Sequence, residues 1–185
     1  MGIAIACAAA DYGADVELVL GPVENIPNNI PAKIINVTSA ESMAVECINR
    51  FINCDIAILA AAVADFTPEI IAGNKIKRGD KKLILKLKPT TDIAAELGKM
   101  KKNRQLLVGF ALETDNELEN AIEKLKRKNF DLIVLNSLNE IGAGFGFDTN
   151  RITIIDRNNN IDKFELKSKN EAAKDILDKI VSIMS

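Results

Sequence analysis

Leu59-Ala60-Ala61-Ala62-Val63-Ala64-Asp65-Phe66 is an apolar run of small side chains that ends on one acid. With Ile56-Ala57-Ile58 before it, the stretch reads as a buried strand over 56–62 that delivers a carboxylate to its C-terminal tip. Open α/β sheets bind their ligands at that end of the strands. Four small side chains in a row let a ligand lie against the strand backbone, at a cost in core volume. Lys75-Ile76-Lys77-Arg78 follows on a polar connection able to fold back over the tip. A carboxylate for a divalent cation beside lysines for phosphates is the minimum equipment for nucleotide chemistry.

On either side of this run, strands and helices alternate. Residues 1–10 are small and apolar almost all round and predict a packed helix, with Gly13 just past its end. Asp15-Val16-Glu17-Leu18-Val19-Leu20 alternates as a strand, and Gly21-Pro22 breaks it. The Pro- and Asn-rich 27–31 is a loop, 34–37 a short strand, and Thr38 or Ser39 caps a helix over 40–53. Residues 66–89 are charged and Lys-rich. Within them Leu83-Ile84-Leu85-Lys86-Leu87-Lys88 alternates as an exposed strand, so the segment reads as an excursion from the sheet. Asp92 caps a helix over 93–101, then come a core strand over 106–111, an amphipathic helix over 116–128 and a strand over 132–136. A glycine-rich loop spans 142–147. Strands over 152–156 and 163–167 flank the turn Arg157-Asn158-Asn159-Asn160 as a hairpin, and a helix over 170–183 follows. The alternation implies a single α/β domain over 1–185: a Rossmann-like, doubly wound, mainly parallel sheet with antiparallel excursions. Its first helix and strand look like the second half of a βαβ unit whose opening strand and loop are expected ahead of Met1.

Composition narrows the classes of function. At 185 residues the chain suffices for one well-buried domain, and 48% hydrophobic with 27% charged residues is ordinary for a globular protein. Net charge is −2 and the isoelectric point about 5.4, so nothing draws the whole chain to nucleic acid or an anionic membrane. Aromatics are 4% with no Trp, which argues against a base-stacking platform. Cys7, Cys47 and Cys54 show no C-x-x-C spacing and suit the reducing cytoplasm as free thiols. Histidine is absent, which excludes an imidazole base and disfavours a zinc site. No apolar run nears the roughly 18 residues of a membrane span, and no signal-peptide pattern opens the chain.

Each candidate has a plain alternative. Asp65 can serve only as a turn cap, and Lys75 and Lys77 only as charges on a solvated edge. Lys124 and Lys128, four apart on one helix face, can grip one ligand or simply answer the negative end of the helix dipole. Glu113-Thr114-Asp115, past a strand end, reads as a cap or a polar pocket wall, and Asp92 as a cap. Gly21 stands where a dinucleotide oxidoreductase carries its ribose-binding acid, and neither a Tyr-x-x-x-Lys pair nor a G-x-x-x-x-G-K-[ST] loop is present.

The ordered set of motifs spans essentially the whole chain. It comprises Met1-Gly2 with the Ala-rich helix, Gly13-Ala14, Gly21-Pro22-Val23 and Thr38-Ser39-Ala40-Glu41-Ser42-Met43. Ala61-Ala62-Val63-Ala64-Asp65-Phe66, Lys75-Ile76-Lys77, Thr91-Asp92-Ile93 and Val108-Gly109-Phe110-Ala111-Leu112-Glu113-Thr114 follow. Lys128-Asn129-Phe130-Asp131-Leu132-Ile133 and Ser168-Lys169 complete it. In this order the chain resembles the phosphopantothenoylcysteine synthetases, the phosphopantothenate–cysteine ligases of coenzyme A biosynthesis. The resemblance implies a two-step ligation. The 4′-phosphopantothenate carboxylate attacks the α-phosphate of CTP, and the amine of L-cysteine then attacks the acyl-cytidylate. It implies Mg²⁺ bridging the phosphates, a homodimer joined through 83–88 and 152–167, and a flavin-dependent phosphopantothenoylcysteine decarboxylase domain as companion.

Carried over by position, Asp65 is the acid near the nucleotide and its cation, and Lys75 the catalytic lysine over the triphosphate. The backbone of Leu59, Ala60 and Ala61 lines the nucleotide cleft, and Ala61 and Ala62 lie along the path of the acyl substrate. Thr91, Asp92, Ile93 and Ala94 match a nucleotide-binding turn, although the family often has Asn-Pro-Asp where this chain has Thr90-Thr91-Asp92. Phe110 packs on the nucleotide, and Lys124 and Lys128 contact CTP. The family's opening strand, its Gly-Gly-Thr-type loop and an asparagine that stabilises the intermediate have no counterpart here, so the chain alone is expected to be inactive or severely impaired. Two other classes stay open: a Rossmann-like NAD(P) oxidoreductase, and a non-catalytic remnant that binds nucleotide or only dimerises.

Overall fold

The computed structural model describes residues 1–23, 26–78, 82–113, 115–137 and 148–184. The 142–147 loop and Thr114 singled out by the sequence lie outside them. The Ala-rich opening is helix α1 (Gly2–Asp11). It closes on a left-handed Gly13 (φ +84°), whose N–H donates to Ala10 while the Ala14 N–H reaches Ala9. Strand β1 (Glu17–Leu20) pairs in parallel with β2 (Lys33–Asn36). Ser39, not Thr38, caps α2 (Ala40–Phe51): the Ser39 Oγ accepts from the Ser42 N–H, and the Ser42 Oγ accepts from the Ser39 N–H. β3 (Ile56–Leu59) follows, then an antiparallel hairpin of β4 (Phe66–Pro68) and β5 (Leu87–Pro89). α3 (Ile93–Met100), β6 (Leu106–Glu113), α4 (Glu117–Arg127) and β7 (Leu132–Ser137) come next. β8 (Thr149–Asn150), β9 (Ile152–Asp156), β10 (Ile161–Lys163), β11 (Lys167–Ser168) and α5 (Lys169–Met184) complete the order.

The main sheet runs β10-β9-β7-β6-β3, with β3, β6 and β7 parallel and β9 and β10 antiparallel. Alternation along β6 and β7 sends Val108, Leu132 and Val134 to one face, where Ile5, Ala8, Ala173 and Ile176 of α1 and α5 cover them. Leu107, Ile133 and Ala111 face the other way, against Phe51 of α2, Leu97 of α3 and Leu125 of α4. Helices on both faces make the sheet doubly wound, as its alternating elements imply. The β1–β2 pair packs on α1 and α2 as β3 does, yet no ladder joins β1 to β3 among the described residues.

Three expectations need correction. β3 stops at Leu59, where its pairing with Gly109 ends, so residues 60–64 are not strand. Alanine has low strand propensity, and no further partner strand holds those residues in register. Asp65 therefore sits six residues beyond the strand, at the foot of the β4–β5 hairpin. Within 83–88 only Leu87 and Lys88 enter a strand; Leu83, Ile84 and Leu85 are exposed and unpaired in any ladder. The hairpin around Asn158 is no excursion, because β9 lies inside the sheet between β7 and β10 with Ile152, Ile154 and Ile155 buried.

Candidate functional site

The C-terminal ends of β3 and β6 face the start of α3. There Asp92 acts with both oxygens: Oδ1 accepts from the Ala95 N–H at 3.0 Å as helix cap, and Oδ2 accepts from the Lys128 ammonium. Lys128 is nearly buried, 11% exposed along its side chain, whereas Asp92 is 53% exposed. Its stem runs between the helices and brings only the ammonium to the surface. Partial burial pushes the Asp92 carboxyl up, but Lys128 and the Ala95 N–H outweigh this and hold it below the ordinary carboxylate range. Lys124, one turn earlier on α4, donates instead to the Phe110 carbonyl at 3.0 Å. The two lysines thus leave one helix face for different partners. Ile93 is buried and starts α3, Ala94 is half-buried, and Thr91 is exposed beside them.

The small-residue run is tied to this place through Thr90. Its Oγ1 donates to the Ala64 carbonyl at 2.7 Å, and its N–H donates to the Asp65 carbonyl at 2.9 Å. Asp65 is exposed, as are Thr91 and Asp92, which follow Thr90 in the chain. Ala60 packs toward α1 and Val63 toward α2, while Ala61 and Ala62 between them are exposed. Phe110 is half-buried on the α1–α5 face of β6. Lys75 is exposed, and no hydrogen bond or ion pair holds it among the described residues. The described contacts thus make three links, Asp92 with Lys128, Lys124 with the Phe110 carbonyl and Thr90 with Ala64 and Asp65; Thr91 and Ile93 flank Asp92, and none of these links holds Lys75.

A divalent cation fits this end in one way. Among the described residues no three acidic, cysteine or histidine side chains cluster. Mg²⁺ would rest on the lone Asp65 carboxylate, phosphate oxygens and water, a ligand set it accepts. A cavity of about 340 Å³ lies elsewhere, against Leu118, Leu135, Arg151, Thr153 and Lys163. The described residues contain no helix long and apolar enough to cross a membrane.

Sequence reasoning passed over Asn136. It ends the apolar strand Leu132-Ile133-Val134-Leu135, between Leu112 of β6 and Ile152 of β9. Its Oδ1 is buried without a hydrogen-bond partner among the described residues. The signal was legible: a polar side chain closing an apolar strand at the ligand-binding end of a parallel sheet.

Comparison with known proteins gives the family of the chain. The family model of the DNA/pantothenate metabolism flavoprotein C-terminal domain matches residues 1–184. A protein named cysteine/cysteine sulfinic acid decarboxylase, from an unknown prokaryotic organism, is 62% identical over 184 residues, which are 100% of this chain and 51% of that protein. The coenzyme A biosynthesis bifunctional protein CoaBC of Bacillus subtilis is 42% identical over 183 residues, 99% of this chain and 45% of its own length. The crystal structure of the C-terminal domain of a CoaBC protein superimposes with a TM-score of 0.82 at 35% identity, covering 99% of this chain and 81% of that one. The chain spans about half the length of these full-length relatives.

Proposed function

Because the chain belongs to the DNA/pantothenate metabolism flavoprotein C-terminal domain family, we propose that it ligates 4′-phosphopantothenate to L-cysteine with CTP. The carboxylate oxygen of phosphopantothenate attacks the α-phosphorus of CTP, and the bond to the bridging oxygen breaks to release pyrophosphate. The cysteine amine then attacks the acyl carbon of the cytidylate, CMP departs with the bonding electrons, and the amine proton passes to solvent. Neither step calls for an imidazole; both call for charge neutralisation and alignment. The observation that carries the reading is the meeting of Asp92, Lys128, Lys124 and Phe110 at the strand ends to which Thr90 ties Asp65.

In this reading Thr91, Asp92, Ile93 and Ala94 form the nucleotide turn, with Phe110 against the nucleotide and Lys124 and Lys128 toward its phosphates. Leu59, Ala60 and Ala61 line the cleft, and the exposed backbone at Ala61 and Ala62 lies along the acyl substrate. Asp65 holds Mg²⁺, which supplies charge neutralisation at the phosphates when bound. Lys75, without a partner among the described residues, closes over the triphosphate.

A second copy covers the exposed Phe66, Ile70, Ile71, Leu83, Ile84 and Leu85 of the 66–89 excursion, giving a homodimer. The protein works in the cytoplasm beside a flavin-dependent decarboxylase domain.

Pyrophosphate release with phosphopantothenate, comparing CTP and ATP, tests the reaction. Release with neither nucleotide, in the protein as the cell makes it, rejects the ligase. Lys75→Gln should slow acyl-cytidylate formation in a single turnover while changing stability by less than about 0.5 kcal/mol, since the side chain is exposed and unpaired. An unchanged single-turnover rate removes Lys75 from the mechanism.

A further inference from the structure

We propose that Gly98 and Asn129 form a positioning clamp that fixes where the Lys128 ammonium stands at the start of α3, and through it the grip on the phosphates of a nucleoside triphosphate. The second half rests on the nucleotide reading above. Neither residue faces the strand ends; both act through Lys128.

α3 and the end of α4 meet backbone to backbone. A Cβ added at Gly98 would lie 2.1 Å from the Lys128 carbonyl oxygen and 2.9 Å from its carbonyl carbon, where ordinary contact begins at 3.4 Å. Any side chain at 98 therefore drives the end of α4 away from α3. Asn129 completes the contact. It adopts φ +56°, the left-handed conformation that asparagine tolerates, and so turns the chain directly after Lys128. Its Nδ2 donates to the Gly98 carbonyl at 2.7 Å. Its own carbonyl accepts from Lys101 at 3.0 Å and from Arg157 at 3.1 Å. Residue 129 is thus held from α3, from the segment after α3 and from the turn after β9.

The geometry makes Lys128 sensitive to this clamp. Gly98 lies six residues after Asp92, about 9 Å along the helix axis at the usual rise. The Lys128 side chain, 11% exposed, and the Asp92 carboxylate it meets together bridge that separation. Backbone displacement at 128 moves the root of this nearly buried side chain, and with it the place where the ammonium meets Asp92.

The 185-residue chain suffices for the test, with CTP and Mg²⁺ as the probe. Gly98→Ala forces the helices apart, and Asn129→Gly keeps the left-handed turn but deletes the amide link. NMR titration of the Asp92 carboxyl reports the ammonium without any nucleotide. It should rise toward the ordinary carboxylate value in both variants, as in Lys128→Gln. An unchanged titration in folded variants overturns the clamp. Should Gly98→Ala not fold, Asn129→Gly carries both readouts. In calorimetry each variant should bind CTP about tenfold more weakly, the loss of one charge-assisted contact. Adding Lys128→Gln should weaken binding no further. Additive losses would show general loosening and overturn the positioning role. A parent chain that does not bind CTP, or a Lys128→Gln that binds it unchanged, refutes the nucleotide half and leaves the clamp to stand or fall on the titration.

Discussion

The two ends of the parallel strands use charge in opposite ways. At their N-terminal ends Asp131 accepts from Lys101 at 2.8 and 2.9 Å, from the Leu107 N–H at 2.7 Å, and pairs with the Arg157 Nε at 2.9 Å. The side chains of Lys101 and Asp131 are only 9% and 12% exposed. Gln105 closes the same end by donating to the Phe51 and Cys54 carbonyls. At the C-terminal ends Asp65 stands exposed, and Asn136 keeps a buried oxygen unanswered among the described residues. Polar groups at the first end answer one another and fasten helices to strands. At the second end Asp92, Lys124 and Lys128 also have partners, but Asp65 stays exposed and the Asn136 oxygen unanswered among the described residues, as a site for a charged ligand requires. Lys128 joins the two: its backbone is held near the fastened end, and its ammonium emerges at the open one.

The comparison breaks most readily at Asp131. Asp131→Ala strands a nearly buried Lys101 and leaves the Leu107 N–H without its acceptor. We expect a loss of about 3–5 kcal/mol in urea unfolding, the range for removing one partner of a buried pair. A loss below about 1 kcal/mol, no more than an exposed pair contributes, would mean that this end is held by packing alone.

Asp156 sharpens the same contrast through pH. It is 7% exposed at the fastened end. Burial pushes its carboxyl up, but the Asn160 side chain, the N–H groups of Asn160 and Asn158, and Lys179 reverse this and hold it below the ordinary range. A depressed folded pKa contributes stability above the unfolded value, about 3.9, and that contribution is lost as pH falls through the folded value. Asp156→Asn should therefore cost about 1–2 kcal/mol at neutral pH. The two proteins should converge in acid, below the ordinary carboxylate range. Curves that stay parallel through the acid limb would show that the cost is not electrostatic.

The helices and the fold class were legible because their signals are local. The Ser39 box, the Asp92 cap, the left-handed Gly13 and the alternation of elements each sit within a few residues. The end of β3 was not legible, because a run of alanines carries no periodicity that separates strand from coil. At the site, the Asp92 cap could be read from sequence, but its pairing with Lys128 across 36 positions could not. The closed end escaped for the same reason: Lys101 and Asp131 meet across 30 positions, and nothing local in either marks the other. Nothing local in the sequence marks Gly98; only its approach to the Lys128 carbonyl does.

The smallest expected effect has the opposite sign, and it lies at the open end. A buried carbonyl oxygen without a donor gives up its hydration for nothing in return, whereas an apolar group of similar shape has no hydration to lose. Leucine shares the γ-branched outline of asparagine, four heavy atoms in each side chain, and β7 already carries Leu132, Val134 and Leu135. Asn136→Leu should therefore stabilise the chain by up to about 1 kcal/mol, where Asp131→Ala and Asp156→Asn destabilise it. The same change should weaken CTP binding if the free oxygen serves the ligand. Destabilisation as large as that of Asp156→Asn would instead place Asn136 among the groups that fasten the sheet, and the division between the two ends would fail at this position.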